Sequence, residues 1–87
     1  MDRRELLAAA KAATTARGKS YGNVYENHKR IADLWAVILK RPIAPHEVVM
    51  CMIALKIARL VETPDHADSQ IDIAGYAAIL PECFRDE

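Results

Sequence analysis

This chain of 87 residues has no charge excess of either sign, since 12 Lys and Arg balance 12 Asp and Glu and leave a formal net charge of zero. A general nucleic-acid binder carries a clear basic surplus, so that class is set aside, although a local basic pocket for a small anion stays open. Cysteine is scarce. Cys51 and Cys83 lie far apart, with neither CxxC spacing nor a framework of several pairs. A secreted domain this small is usually stapled by more bridges, so a reducing, cytosolic setting is expected. Cys51 sits inside the most apolar stretch and reads as a small core residue. Long hydrophobic runs are missing too: the longest, Val48 to Leu55, is too short to span a bilayer. The opening Met1-Asp2-Arg3-Arg4-Glu5 starts a charged helical pattern with no signal-type apolar core behind it. These absences predict a soluble protein.

With 52% apolar and 28% charged residues, the chain is globular, and residues 1–87 form a single helical domain. Asp2 can cap a first helix through Leu6, Leu7 and the alanine-rich stretch from Ala8 to Ala13. Gly18 is its expected terminator, which makes Arg17-Gly18-Lys19-Ser20-Tyr21-Gly22 a loop. Asn23 is a good N-cap for a second helix ending near Lys40 or Arg41, with Val24, Ile31, Leu34, Trp35, Ile38 and Leu39 at helical spacing. Pro42-Ile43-Ala44-Pro45 breaks the chain, and Pro45 suits the first turn of a third helix running to about Val61. Thr63-Pro64-Asp65-His66 opens a fourth, stopped near Leu80 by Pro81. No strand pattern or repeat appears. The expected fold is all-α, a small four-helix bundle. Its core is limited, and the third helix is apolar on almost every side, so completion by homo-oligomerisation is expected. The segment Cys83-Phe84-Arg85-Asp86-Glu87 reads as a short tail.

Familiar catalytic patterns are absent. His28, His46 and His66 are scattered over three helices, with no HExxH or Cys/His quartet for zinc. Gly18-Lys19-Ser20 ends like a phosphate-binding P-loop, but the earlier glycine and the preceding strand are missing. Two clusters remain. Lys56 and Arg59 stand three apart on an otherwise apolar helix; they either snorkel or pair with carboxylates, or hold phosphate at a cleft. Asp68 and Asp72 share a helical face, with Asp65 one turn before and Tyr76 one turn after. Asp65 and Asp68 suit a helix start through the macrodipole, whereas Asp72 calls for a partner such as Lys56 or Arg59. The alternative is a Mg²⁺ site at Asp68 and Asp72. Trp35 reads as core. Tyr21, beside Arg17 and Lys19, is either a loop anchor or a lid that stacks a base.

The stretch from Arg17 to Tyr76 resembles a family of short phage and prophage proteins of uncharacterised function. The resemblance rests on Arg17, Tyr21-Gly22, Asn27, Ile31-Ala32-Asp33-Leu34-Trp35, Lys56-Ile57-Ala58-Arg59, Asp68 and Asp72-Ile73-Ala74-Gly75-Tyr76-Ala77. More remotely, it is similar to the all-α MazG-like nucleotide pyrophosphohydrolases, whose helical carboxylates hold Mg²⁺ on a nucleoside triphosphate. Their Glu-x-x-Glu pair has no counterpart here, since Glu26, Asp33 and Glu47 stand alone. The resemblance implies a bacterial host's cytoplasm and a nucleotide-type ligand. Arg17, Lys56 and Arg59 would meet phosphate, Tyr21 would stack the base, and Asn27 and Asp72 would orient the ligand, with a nucleotide signal of host defence held out of circulation as the expected role. The alternatives are a Mg²⁺-dependent pyrophosphohydrolase using Asp68 and Asp72, with Glu47 as a further ligand, and a protein-interaction module without a small ligand.

Overall fold

A computed structural model describes residues 1–85. These residues form four α-helices and one 3-10 turn: α1 (Arg3–Tyr21), α2 (Val24–Leu39), α3 (Pro45–Glu62), α4 (Ala67–Ile79) and η1 (Leu80–Cys83). No strand occurs among the described residues. The helix starts follow local chemistry. Asp2 accepts from the Glu5 N–H at 2.9 Å, and Asn23 accepts from the Glu26 N–H at 3.1 Å, each satisfying a donor of the first turn. Pro45 occupies the first turn of α3, where its missing N–H costs nothing. Glu47 reaches back to accept from the Ala44 N–H at 2.9 Å.

Two helix ends differ from expectation. Gly18 does not stop α1, which continues through Arg17, Gly18 and Tyr21 to a cap at Gly22. Gly22 has φ of +77°, a conformation that glycine adopts without Cβ strain, and its N–H donates to the Gly18 carbonyl at 3.1 Å. The expected 17–22 loop is therefore mostly helix, and Tyr21 stands on its last turn. At the start of α4 the cap is His66: its Nδ1 accepts from the Ser69 N–H at 3.3 Å, with the Ser69 hydroxyl 2.7 Å away. Thr63 instead closes α3, donating to the Arg59 carbonyl at 2.9 Å.

In space the helices run α1, α4, α3, α2, because α4 packs on both α1 and α3 while α2 packs chiefly on α3. The core is small, centred on Ala10, Ala32, Val48, Val49 and Cys83, with buried Ser69 and His28 beside it. Cys51, expected inside, is exposed, whereas Cys83 is buried. The expected tail thus contributes to the fold: η1 packs on α2, α3 and α4, Phe84 stacks on His46 with ring centroids 4.5 Å apart, and the Arg85 guanidinium lies 4.0 Å over the Tyr25 ring. Asp86 and Glu87 lie outside the described residues. Among the described residues no helix is long and apolar enough to cross a membrane.

Candidate functional site

The spatial order of the helices leaves α1 and α2, neighbours in sequence, with little mutual contact. Between them lies a cleft of about 400 Å³, floored by α3 and α4. That volume falls in the range of ligand clefts, roughly 300–1,000 Å³. Its apolar surface comes from Ile31, Trp35, Val48, Met52 and Ile79. The polar groups are fewer: Thr14 and Arg17 from α1, Asn27 and His28 from α2, and the Tyr21 and Tyr76 rings. An apolar body with a few convergent polar groups is the usual make-up of a small-molecule site.

Among the described residues, Arg17 is the one charged side chain on this lining. Two contacts hold it. Its guanidinium donates to Asp72 Oδ1 at 3.3 Å and lies 5.4 Å over the Tyr76 ring. The other Asp72 oxygen, Oδ2, is 3.0 Å from the Lys56 ammonium. The exposures set the roles: the Lys56 side chain is 12% exposed and Asp72 20%, against 43% for Arg17. Lys56 and Asp72 form an internal pair across α3 and α4, and Asp72 steadies Arg17 at the rim from outside the lining. Of the two readings of Lys56, the structure therefore favours the paired one.

The expected site residues divide accordingly. Arg17, Tyr21 and Asn27 come together at the cleft, and Asp72 stands behind Arg17. Arg59 does not join them. It lies at the far end of α3, where it lines a separate shallow depression with Glu62, Thr63 and His66. Asp68 is exposed, and Asp72 is taken up by two cations, so the pair does not present a free carboxylate couple. No group of three or more His, Cys, Asp or Glu suited to a metal occurs among the described residues. Glu47, the further metal candidate, is engaged in the α3 cap and lies 3.6 Å from Arg41. The Ala44 N–H, ahead of the Arg41 charge, holds its carboxyl below the ordinary carboxylate range.

Sequence reasoning missed His28, Trp35 and Tyr76 as cleft residues. His28 had a signal: it occupies the same helical register as Val24, Ile31 and Trp35, which all face the cleft. His28 as a residue is 8% exposed, and its Nδ1 lies 2.7 Å from the Val24 carbonyl. A carbonyl only accepts, so Nδ1 carries the proton in that bond, and in the neutral ring Nε2 is an acceptor. Gly75, also on the lining, faces α1, where a Cβ would meet Thr14 Cγ2 at an ordinary van der Waals distance of 3.6 Å.

By sequence, the chain is similar to phage proteins. The chain is 44% identical over 77 residues to the Gene 55 protein of Mycobacterium phage L5, covering 86% of this chain and 49% of that protein. It is 40% identical over 70 residues to the Gene 55 protein of Mycobacterium phage D29, covering 80% of this chain and 46% of that protein. The chain thus spans about half the length of these curated relatives. No solved structure matches. The model of a domain of unknown function, DUF6378, matches residues 5–84, and the chain belongs to that family.

Proposed function

We propose that the protein binds a phosphorylated nucleotide-type ligand in the cleft between α1 and α2. The observation that carries this reading is the meeting of a steadied guanidinium, Arg17, with aromatic and apolar walls in one cleft. Tyr21, Trp35 and Tyr76 supply faces on which a base can stack, and Arg17 is a fork suited to phosphate oxygens. Asn27 Oδ1 is 3.5 Å from Arg30, which leaves its NH₂ donors for a ligand.

The role is capture rather than turnover, with sequestration of a nucleotide signal in a phage-infected host as its purpose. Supporting capture, the best-placed carboxylate, Asp72, is bound by Lys56 and Arg17, and the chain lacks the Glu-x-x-Glu of MazG-like enzymes. The bundle is completed by self-association through α3. Its support is an apolar face at spacings of four, three and four: Met50, Ala54, Ile57 and Val61 are all exposed, Val61 by 79%.

The test is to incubate the purified protein with nucleotides, with and without Mg²⁺, and follow thermal shift and product formation together. Stabilisation by a nucleotide recovered intact, lost in Arg17→Glu and kept in Arg59→Glu, is the expected result. Pyrophosphate released only with Mg²⁺, and abolished by Asp68→Asn or Asp72→Asn, would establish a MazG-like hydrolase instead. No stabilisation and no product would leave the exposed α3 face, and a protein partner, as the function.

A further inference from the structure

Resting on the self-association proposed above, we infer that two copies of this chain pair α3 against α3 in antiparallel order, with Met50 on the partner's Val61 and Ala54 on the partner's Ile57. The seam is the stripe Met50, Ala54, Ile57 and Val61, whose spacings of four, three and four keep it on one side of the helix. All four residues are exposed, Met50 by 55%, Ile57 by 51% and Val61 by 79%, and none is charged. From Met50 to Val61 the seam is about 16 Å long, at 1.5 Å of rise per residue. Val48 and Met52 each precede a member of the stripe by two residues, which sets them nearly opposite it on the helix, and both line the cleft. Pairing through the stripe therefore leaves both clefts open.

Side-chain size and charge select a second copy and its direction. A two-fold contact requires a surface complementary to itself, in which one residue meets a second and that second meets the first. Reversed, the stripe sets the small Ala54 against the branched Ile57 in both central layers, and Met50 against Val61 in both outer ones. A parallel pair would instead set Ala54 on its own copy between layers of paired Met50 and paired Ile57. Those larger pairs hold the backbones apart and leave a void at Ala54. Charge points the same way. Exposed Lys40 and Arg41 precede α3, whereas exposed Glu62, Asp65 and Asp68 stand at and beyond its C-terminus. The signs stay opposite when Glu47, beside Arg41, and Arg59 are added to their respective ends. An antiparallel pair brings the basic end of each copy beside the acidic end of the other, and a parallel pair sets like beside like.

The experiment joins sedimentation of the full chain over a range of concentrations with cysteine cross-linking. The wild-type protein should sediment with the mass of two chains, and Ile57→Glu, with circular dichroism showing the helices intact, should fall to the mass of one. Should Ile57→Glu fail to fold, Val61→Glu takes its place, since that side chain is the more exposed. For direction, Cys51→Ser is the background, and Met50→Cys and Val61→Cys are added to it singly and together. A disulfide needs Cα atoms within about 7 Å. In the antiparallel pair each new cysteine lies about 16 Å from its own copy in the partner, and the two lie equally far apart within one chain. Mild oxidation should therefore yield a covalent dimer from the double variant and none from either single one. A wild-type protein of one-chain mass at every concentration would overturn self-association, and this inference with it. A dimer that survives in a folded Val61→Glu would overturn α3 as the seam. A covalent dimer from Met50→Cys alone, or none from the double variant, would overturn the antiparallel register and leave self-association through α3 standing.

Discussion

Replacing Asp72 by alanine should be among the most damaging single changes to a polar residue in this domain. The carboxylate accepts from Lys56 at 3.0 Å through one oxygen and from Arg17 at 3.3 Å through the other. Its loss strands the Lys56 ammonium, whose side chain is only 12% exposed. Breaking a fully buried ion pair costs about 3–5 kcal/mol, and the partial exposure here lowers the expectation to about 2–3 kcal/mol. Arg17→Ala removes only the outer contact, from a side chain 43% exposed, and should cost less than about 1 kcal/mol. For a domain of this size each kcal/mol moves Tm by about 4–8 °C, so Asp72→Ala should lower it by about 10–20 °C. Substituting both partners, Lys56→Met with Asp72→Leu, should recover much of the loss, because an apolar pair leaves no stranded charge. Urea and thermal unfolding of the wild type, Lys56→Met, Asp72→Leu and the double variant, analysed as a double-mutant cycle, give the coupling directly. A cost for Asp72→Ala no larger than that for Arg17→Ala would refute the internal-pair account.

Other perturbations test separate parts of the structure. Gly75→Ala should stabilise the fold by about 0.5–1 kcal/mol, because the new Cβ meets Thr14 Cγ2 at an ordinary 3.6 Å and alanine is the better helix former; a lower Tm would mean that α1 and α4 cannot accommodate it. Cys51 should react with a thiol reagent at once, while Cys83 should react only on unfolding, since burial raises its thiol pKa and its Sγ lies 3.7 Å from the Ile79 carbonyl; equal rates by mass spectrometry would contradict the packing of η1. Glu47→Ala should lower Tm at neutral pH. The folded carboxyl has the lower pKa, so its stabilisation is complete above the unfolded value and fades as pH falls through the folded one. The wild-type and Glu47→Ala melting curves should therefore converge as pH falls below the ordinary glutamate range, and a constant gap would count against the cap.

Helix identity and most helix starts were legible in the sequence because they depend on neighbouring residues: Asp2, Asn23 and Pro45 act within one turn. The end of α1 was not. A glycine in a helix costs only about 1 kcal/mol, so Gly18 could be absorbed while Gly22, with positive φ, supplied the stop. Cys51 and Cys83 were misplaced for a related reason. The apolar richness of α3 does not say which of its faces is covered, and η1 turns back over the bundle only in three dimensions. The pairing of Asp72 with Lys56 was foreseeable from a lone acid among isoleucines. The cleft was not, since it exists because α1 packs on α4 rather than on α2. Arg59, three residues from Lys56, followed the helix round to another depression.

Trp35 is the single tryptophan of the chain and lines the cleft, so its emission reports on occupancy without a label. The most direct test of the central claim is a titration of that emission with nucleotides, in the wild-type protein and in Arg17→Glu and Arg59→Glu. A saturable change in the wild type and Arg59→Glu, lost in a folded Arg17→Glu, is the predicted result. An emission indifferent to every nucleotide, or a response that survives Arg17→Glu unchanged, would contradict the assignment of this cleft.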